Sequence, residues 1–222
     1  PGATGFFCGV LGSRGPPAPN FLQAGARGAG RTPLARDLSM QAWGMAFSSP
    51  AEVSMSGFTW TAGNGVGRIL VAKAGAPVDS FPVDGVTYTG STNFGTASAE
   101  IGTGNYVLWV GTGTPNRISS LARDTVYHFR LFEYNGSGDA INYNTSAATG
   151  NPISQTTMAA NPGSAVSDLA LSNIGTDRFT VTWTKGTAGT NTLIVVRAGS
   201  APPGPADRNT YDESAAFGSG SD

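Results

Sequence analysis

The chain has 222 residues, a formal net charge of -1, and only 12% charged residues against 39% hydrophobic ones. Because Lys and Arg do not cluster, the sequence lacks the electrostatic footprint of a nucleic-acid-binding protein. It also has no apolar run of about 18 residues that would span a bilayer. The apolar content is too high for general disorder, and 32 glycines and 14 prolines suit short strands joined by tight turns. Composition therefore favours an all-β chain.

Residues 1–44 form a leader rich in Gly, Pro and Arg. Its apolar patch at 6–11 is too short for the core of a signal peptide and follows no basic residue. Cys8 is the only cysteine, so no internal disulfide is possible. We expect a flexible leader of uncertain origin, with the tail of a preceding module as the alternative.

The next feature in chain order is an opening strand, in which Met45 and Phe47 alternate. Phe58 and Trp60 alternate likewise in the following strand. The turn at 62–65 has the Gly and Asn residues of a hairpin, which predicts that strands 58–61 and 68–74 pair with each other.

Further strands are predicted over five more segments: 86–89, 105–110, 117–121, 125–135 and 153–157. Seven or eight strands with turns every 8 to 12 residues are typical of a β-sandwich.

The chain repeats itself at a distance of 123 or 124 residues. Two segments recur: Phe-Thr-Trp-Thr-Ala-Gly at 58–63 as Val-Thr-Trp-Thr-Lys-Gly at 181–186, and Arg-Ile-Leu-Val-Ala-Lys-Ala-Gly at 68–75 as Leu-Ile-Val-Val-Arg-Ala-Gly at 193–199. A repeat of this length is a whole small domain rather than a solenoid unit.

The repeat predicts a complete domain over 45–157, a linker over 158–164 and the N-terminal half of a second copy over 165–222. The second copy lacks counterparts of residues 100–157. A half-sandwich exposes an apolar face and unpaired edges, so it is not expected to be stable alone. We therefore expect the chain to be a fragment of a longer array.

The segment Leu-Ala-Arg-Asp-Thr-Val-Tyr-His-Phe-Arg-Leu at 121–131 resembles the corner before strand F in the fibronectin type III family. In that family the tyrosine, here Tyr127, fills the end of the sandwich and bonds backbone upstream. Arg123 stands where the family usually has proline, and Trp60 matches its buried tryptophan. The resemblance implies an Ig-like antiparallel β-sandwich. The expected core residues are Phe58, Trp60, Leu121, Tyr127, Phe129, Leu131 and Trp183.

More closely, residues 45–222 resemble the long fibronectin-like repeats of secreted multidomain proteins in Bacteroidetes-type bacteria. The motifs are Trp-Thr-x-Gly-Asn-Gly at 60–65, Pro-x-Asp-Gly-x-x-Tyr at 82–88, Ile-Gly-x-Gly-Asn-Tyr-Val at 101–107 and Phe-Glu-Tyr-Asn-Gly at 132–136. The resemblance implies an extracellular or cell-surface location. It also implies that the partners are neighbouring domains of the same polypeptide, with surface proteins or glycans as further partners.

No catalytic constellation is apparent, so we expect no enzyme and no cofactor. His128 is the only histidine, and alternation along its strand places it with Arg130 on a solvated face. The glycines at 63–67 join two strands and precede no helix, which excludes a phosphate loop.

No metal site is predicted either. Zinc would require Cys and His clusters that the sequence lacks. A few oxygen ligands for calcium are available, from Asp79 with Asp84, or from Asp139 with Asn135 and Asn142, but turn capping is the commoner role of such side chains.

Glu133 is the one acid that alternation places inward, where a carboxylate requires hydrogen bonds. We expect it to accept backbone N–H groups of the following loop at 135–138.

Four aromatic residues are the candidate ligand contacts: Tyr106, Trp109, Tyr134 and Tyr143. Alternation places Tyr106 and Trp109 on opposite faces, so at most one belongs to a given platform. The sequence thus predicts a non-enzymatic spacer or adhesion module within a larger secreted or surface protein. The alternative is a carbohydrate-binding accessory module of a secreted hydrolase, using rings that stack on sugars.

Overall fold

A computed structural model describes residues 41–214, so the expectation for the leader at 1–40 lies outside the described residues, as do residues 215–222. The described chain is all-β and contains thirteen strands. In chain order they are β1 (Trp43–Ala46), β2 (Ser49–Pro50), β3 (Met55–Ser56), β4 (Thr59–Thr61), β5 (Gly67–Ala74), β6 (Glu100–Gly102), β7 (Asn105–Gly111), β8 (Arg117–Ile118), β9 (Val126–Asn135), β10 (Asn142–Asn144), β11 (Ile153–Thr156), β12 (Ser167–Ser172) and β13 (Thr180–Thr184).

Strands β1 to β11 form an antiparallel β-sandwich. In the smaller layer β1 pairs with β4, and β2, β3 and β8 form a three-stranded sheet. Gly57, with φ of +68°, separates β3 from β4. The larger layer has the order β10-β9-β5-β7-β6, and β11 also pairs with β9. The expected all-β sandwich is confirmed.

The core between the layers draws side chains from both sheets. Met45, Met55 and Phe58 come from the smaller layer, and Leu70 and Phe129 come from the larger one. Five of the expected core residues are buried in this core, namely Phe58, Leu121, Tyr127, Phe129 and Leu131. Trp60 is partly buried and packs against its edge.

The larger sheet is buried on its outer face as well. Along β5, Leu70 points into the core between the layers, while Ile69 and Val71 join a second apolar cluster. Val78 and Ile141 cover that cluster from the segments that follow β5 and β9. The irregular stretch 75–88 therefore lies against the outer face of the sheet and is not a free loop; we call it the covering segment.

Two local predictions were wrong. The strands at 58–61 and 68–74 do not pair, because β4 pairs with β1 while β5 pairs with β7 and β9. The segment 62–66 instead crosses between the layers, which lets Trp60 and Leu70 face a shared core. Residues 86–89 form no strand, because the chain turns back so that the Val83 N–H donates to the Tyr88 hydroxyl at 3.1 Å. A smaller difference is that the first strand begins at Trp43, two residues before the expected boundary.

The corner before β9 has the predicted contact. The Ala122 N–H donates to the Tyr127 hydroxyl at 2.8 Å, and the Tyr127 ring is buried. The hydroxyl thus satisfies a backbone donor in the turn while the ring fills the end of the core.

The second copy has only one strand pair among the described residues, β12 with β13. Trp183 was expected in a core but is 40% exposed, and Leu169, Leu171 and Phe179 are exposed as well. Residues 193–196, the counterpart of part of β5, form no strand. The physical reason is that β5 is held by β7 and β9, and residues 193–214 contain no strand to take those places.

The backbone nevertheless repeats a local contact of the first copy. The Ala206 N–H donates to the Tyr211 hydroxyl at 2.7 Å, as Val83 does to Tyr88. A turn closed on a tyrosine hydroxyl therefore occurs at matching positions of both copies.

We expect Phe129→Ala to lower the free energy of unfolding by about 3–5 kcal/mol, since it removes a ring that is fully enclosed by both layers. Phe179→Ala is the matched control, because Phe179 is exposed in the second copy and should cost less than about 0.5 kcal/mol. Urea unfolding followed by circular dichroism measures both. Equal losses in the two variants would contradict the assignment of the core.

Candidate functional site

The four aromatic candidates are packed against other rings. The ring centroids of Tyr106 and Phe94 are 4.8 Å apart, and those of Trp109 and Trp60 are 5.8 Å apart. Tyr134 and Tyr143 form a third pair at 5.6 Å. None of these four rings stands free as a flat platform for a sugar.

The prediction that Tyr106 and Trp109 lie on opposite faces was wrong. Leu70 is opposite Trp109 and Val71 is opposite Val107, which leaves Leu108 as an extra residue in β7. This β-bulge changes the alternation, so Tyr106 and Trp109 both pack against the core between the layers. A single sequence without its partner strand gives no sign of such a bulge.

Tyr143 is buried on the outer face of the larger sheet and does not serve as an exposed contact. It is 7% exposed, and its hydroxyl donates to the Val86 carbonyl at 3.0 Å. Burial raises the pKa of Tyr143 to about 12, with smaller contributions from Tyr88, Tyr134 and Asp84. Its role is to fix the covering segment to β10.

Glu133 is only 1% exposed and accepts three hydrogen bonds, but not from the loop predicted to supply them. Its carboxylate accepts from the Gly63 N–H at 2.8 Å and from the Gly65 N–H at 3.0 Å. The third donor is Arg68 Nε, 2.7 Å from Oε1. The carboxylate therefore holds the crossing segment 62–66, because Gly65 in that segment lies directly against Glu133 and the Tyr134 carbonyl at the end of β9.

The Arg68–Glu133 ion pair lies almost entirely out of water. Arg68 also donates from Nη1 to the Thr112 carbonyl at 2.9 Å, which connects the pair to the end of β7. A buried pair is tolerated only when its remaining donors and acceptors are met, and the Gly63 and Gly65 amides serve that purpose. The arrangement is structural, because the carboxylate has no open side toward solvent.

The acids considered as calcium ligands have other partners. Asp79 accepts from Lys73 Nζ at 2.7 Å and from Asn105 Nδ2 at 2.8 Å, which lowers the pKa of Asp79. Asp84 accepts from the Tyr143 N–H at 2.8 Å. Both carboxylates attach the covering segment to the sheet.

The described residues contain no cluster of three or more His, Cys, Asp or Glu side chains that would hold a metal ion. Asp139 lies in the short 3-10 helix Gly138–Ala140. Between residues 41 and 214 no helix is long and apolar enough to cross a membrane.

The face of β9 that carries His128 and Arg130 was predicted to be solvated; His128 is half-exposed, but for Arg130 the prediction was wrong. Arg130 is partly buried, with its guanidinium carbon 4.4 Å from the centroid of the Phe81 ring and 5.2 Å from that of Phe132. The covering segment after β5 brings Phe81 over this face.

Of the buried polar residues that the sequence reasoning missed, Asn151 and Thr157 connect separate parts of the sandwich. Asn151 is 3% exposed and spans two parts of the sandwich: its Oδ1 accepts from the Leu131 N–H, and its Nδ2 donates to the carbonyls of Leu131 and Ala42. Thr157 is equally buried, accepts from the Thr125 N–H and donates to the Ala122 carbonyl. The only sequence signal for the burial of Asn151 is the Asn-Pro dipeptide at 151–152, and such a dipeptide usually indicates an ordinary turn.

Comparison with known proteins gives no match to a family model, to a curated protein or to a solved structure.

Glu133→Ala should lower the free energy of unfolding by about 3–5 kcal/mol, because it leaves the Arg68 guanidinium buried without its anion. The double variant Arg68→Met/Glu133→Leu should recover part of that loss, since it removes both charges. Glu213→Ala, at an exposed position, is the control and should be neutral. Urea unfolding measures all three, and a double variant less stable than Glu133→Ala would refute the account.

Tyr143 should make stability fall at alkaline pH. The folded protein binds the phenol proton more tightly than the unfolded chain, whose tyrosine pKa is 10.0. The contribution is therefore complete below pH 10 and is lost as the pH rises toward 12. The stability advantage of the native chain over Tyr143→Phe should shrink by about 2–3 kcal/mol across that window. Denaturant titrations at pH 8 to 12 test this, and a constant difference would contradict it.

Proposed function

We propose that this chain is a non-enzymatic spacer or adhesion module of the fibronectin type III-like kind, working as part of a larger secreted or surface protein. Its task is mechanical: the sandwich keeps its neighbours apart and transmits tension between the points where the chain enters and leaves.

The observation that carries this proposal is the fastening of those two points. The chain enters at Ala42, whose carbonyl accepts from Asn151 Nδ2 at 3.1 Å, while the same amide bonds both backbone groups of Leu131 on β9. It leaves at Thr157, whose N–H donates to the Thr125 carbonyl and whose hydroxyl bonds Ala122. Both side chains are buried, where each hydrogen bond is stronger than in water.

The exit is secured further along the predicted linker. Glu52 accepts from Arg123 Nε at 2.7 Å and from the Asn161 N–H at 3.0 Å. These hydrogen bonds lower the pKa of Glu52, so the carboxylate is charged at neutral pH. The segment after β11 therefore continues along the sandwich instead of leaving it at once, which suits a module that sets the direction of its neighbour.

The carbohydrate-binding alternative has less support. It requires a row of exposed, coplanar rings, and the four candidates pair with other rings at interplanar angles of 57° to 64°. Tyr143 is covered.

The mechanical role predicts a specific effect of Asn151→Ala. When the full chain is held at positions 41 and 158 and stretched in an optical trap, we expect one cooperative unfolding event, and Asn151→Ala should unfold at clearly lower force because the entry point is released from β9. Gln155→Ala, on β11, is the matched control, because the Gln155 side chain donates to the carbonyl of the adjacent Thr156 and the substitution leaves the backbone pairing with β9 intact. Equal unfolding forces in both variants would contradict the proposal.

A second measurement addresses the alternative. In affinity electrophoresis through gels containing soluble polysaccharides, the chain should migrate as it does in plain gels. Retardation by a polysaccharide that Trp109→Ala abolishes, in a variant still folded by circular dichroism, would support carbohydrate binding instead.

A further inference from the structure

A cavity of about 250 Å³ lies beside β11 on the outer side of the larger sheet. Its polar wall consists of His128 and Arg130 on β9 and Ser154 on β11. Ser154 lies directly opposite His128 in the strand pairing, so the three side chains converge on one face.

Arg130 brings to this wall a cation that lacks an anionic partner. The ion pairs of the described residues use Arg68, Lys73 and Arg123, and none involves Arg130. Its one hydrogen bond within residues 41–214 runs from Nη2 to the Thr145 carbonyl at 2.7 Å. Its Nε is buried and has no acceptor among these residues.

Partial burial without an anionic partner is energetically unfavourable for a guanidinium group. Phe81 and Phe132 remove water from its faces, and burial lowers the pKa of Arg130. A partly desolvated cation with spare donors gains more from a bound anion than an exposed one does, since fewer waters compete. The contacts with the Phe81 and Phe132 rings also hold the Arg130 guanidinium in position before a ligand binds.

The two other polar groups supply complementary donors. The His128 imidazole makes no hydrogen bond with another described residue, and the Ser154 side chain is exposed at the edge strand. No carboxylate lines the cavity, so an anion meets no repulsion from the wall.

The rest of the lining is apolar. Pro77, Val78 and Pro152 form a wall next to the cationic side. An inorganic ion leaves this wall unused, whereas a ligand with a small aliphatic group covers it.

We propose that this cavity binds a carboxylate that carries a small aliphatic group, with Arg130 pairing the carboxylate, His128 and Ser154 donating to it, and Pro77, Val78 and Pro152 packing on the aliphatic part. A free acid and the carboxyl end of a peptide chain share this chemistry. The site adjoins Asn151 in the sequence but includes neither Asn151 nor Thr157, and it does not depend on the spacer function.

The test is an NMR titration of the full 15N-labelled chain with N-acetyl-leucine, whose dissociation constant should be on the order of a few millimolar for a ligand of this size. The amide signals of residues 128, 130 and 154 should shift together. N-acetyl-leucinamide, which has the same shape without the charge, should bind at least about tenfold more weakly. Inorganic phosphate should also bind more weakly. An N-acetylated tripeptide ending in leucine distinguishes a chain end from a free acid: similar affinity indicates that chain ends are accepted.

Variants localise the effect. Arg130→Gln should weaken binding by about tenfold or more, and Ser154→Phe should block the cavity while Arg130 is retained, so that loss of binding does not depend on one variant folding well. Arg117→Gln, at an exposed position on β8, is the matched control and should bind as the native chain does. Equal binding of acid and amide, equal or tighter binding of phosphate, or unchanged binding in Ser154→Phe would overturn the proposal.

Discussion

The structure depends on burial of both faces of the larger sheet. Side chains alternate along β5, so that Leu70 packs between the layers and Ile69 packs under the covering segment. A sheet with two apolar faces needs two covers. One is the smaller layer, and the other is the chain between β5 and β7 together with the segment around Ile141. Lys73, Asp79 and Asn105 tie that second cover down, which explains why acids that look like possible calcium ligands act as anchors.

Buried polar side chains hold the parts of the chain that the apolar clusters do not contact. The crossing segment 62–66 has few apolar contacts of its own, and its amides are met by Glu133 from the opposite layer. Asn151 performs the same task at the chain entry. In both places one buried side chain satisfies backbone groups that no strand partner reaches, so connectivity between the layers is specified by hydrogen bonding as well as by packing.

The sequence was sufficient to predict the fold class and most strands of the first copy, because these follow from alternation and turn residues. The contact at Tyr127 was expected from the resemblance of residues 121–131 to the fibronectin type III family. The sequence was not sufficient for pairing: the glycines at 62–65 look the same in a hairpin and in a crossing between layers. The bulge at Leu108 reversed the predicted face of Trp109, since an extra residue is visible only against the partner strand. The partial burial of Arg130 was missed because the segment that covers β9 is irregular and lies far from it in the sequence.

The second copy has a turn that its sequence does not predict. Arg208 has a φ of +69° at the position that corresponds to Gly85, whose φ is +77°, so the backbone makes the same turn without the glycine.

The lengths of the strands have a consequence for pairing between this sandwich and the edge of another sheet. The long strands β5, β7 and β9 lie inside the larger layer, whereas the strands at the borders of the sandwich have only two to four residues. Pro152, just before β11, also lacks an N–H to offer a neighbour. Tandem modules hold one another at high local concentration, which favours mispairing of exposed ladders. Short borders limit how many hydrogen bonds such a mispairing can form, which disfavours the joining of this sandwich to a second sheet through its edges.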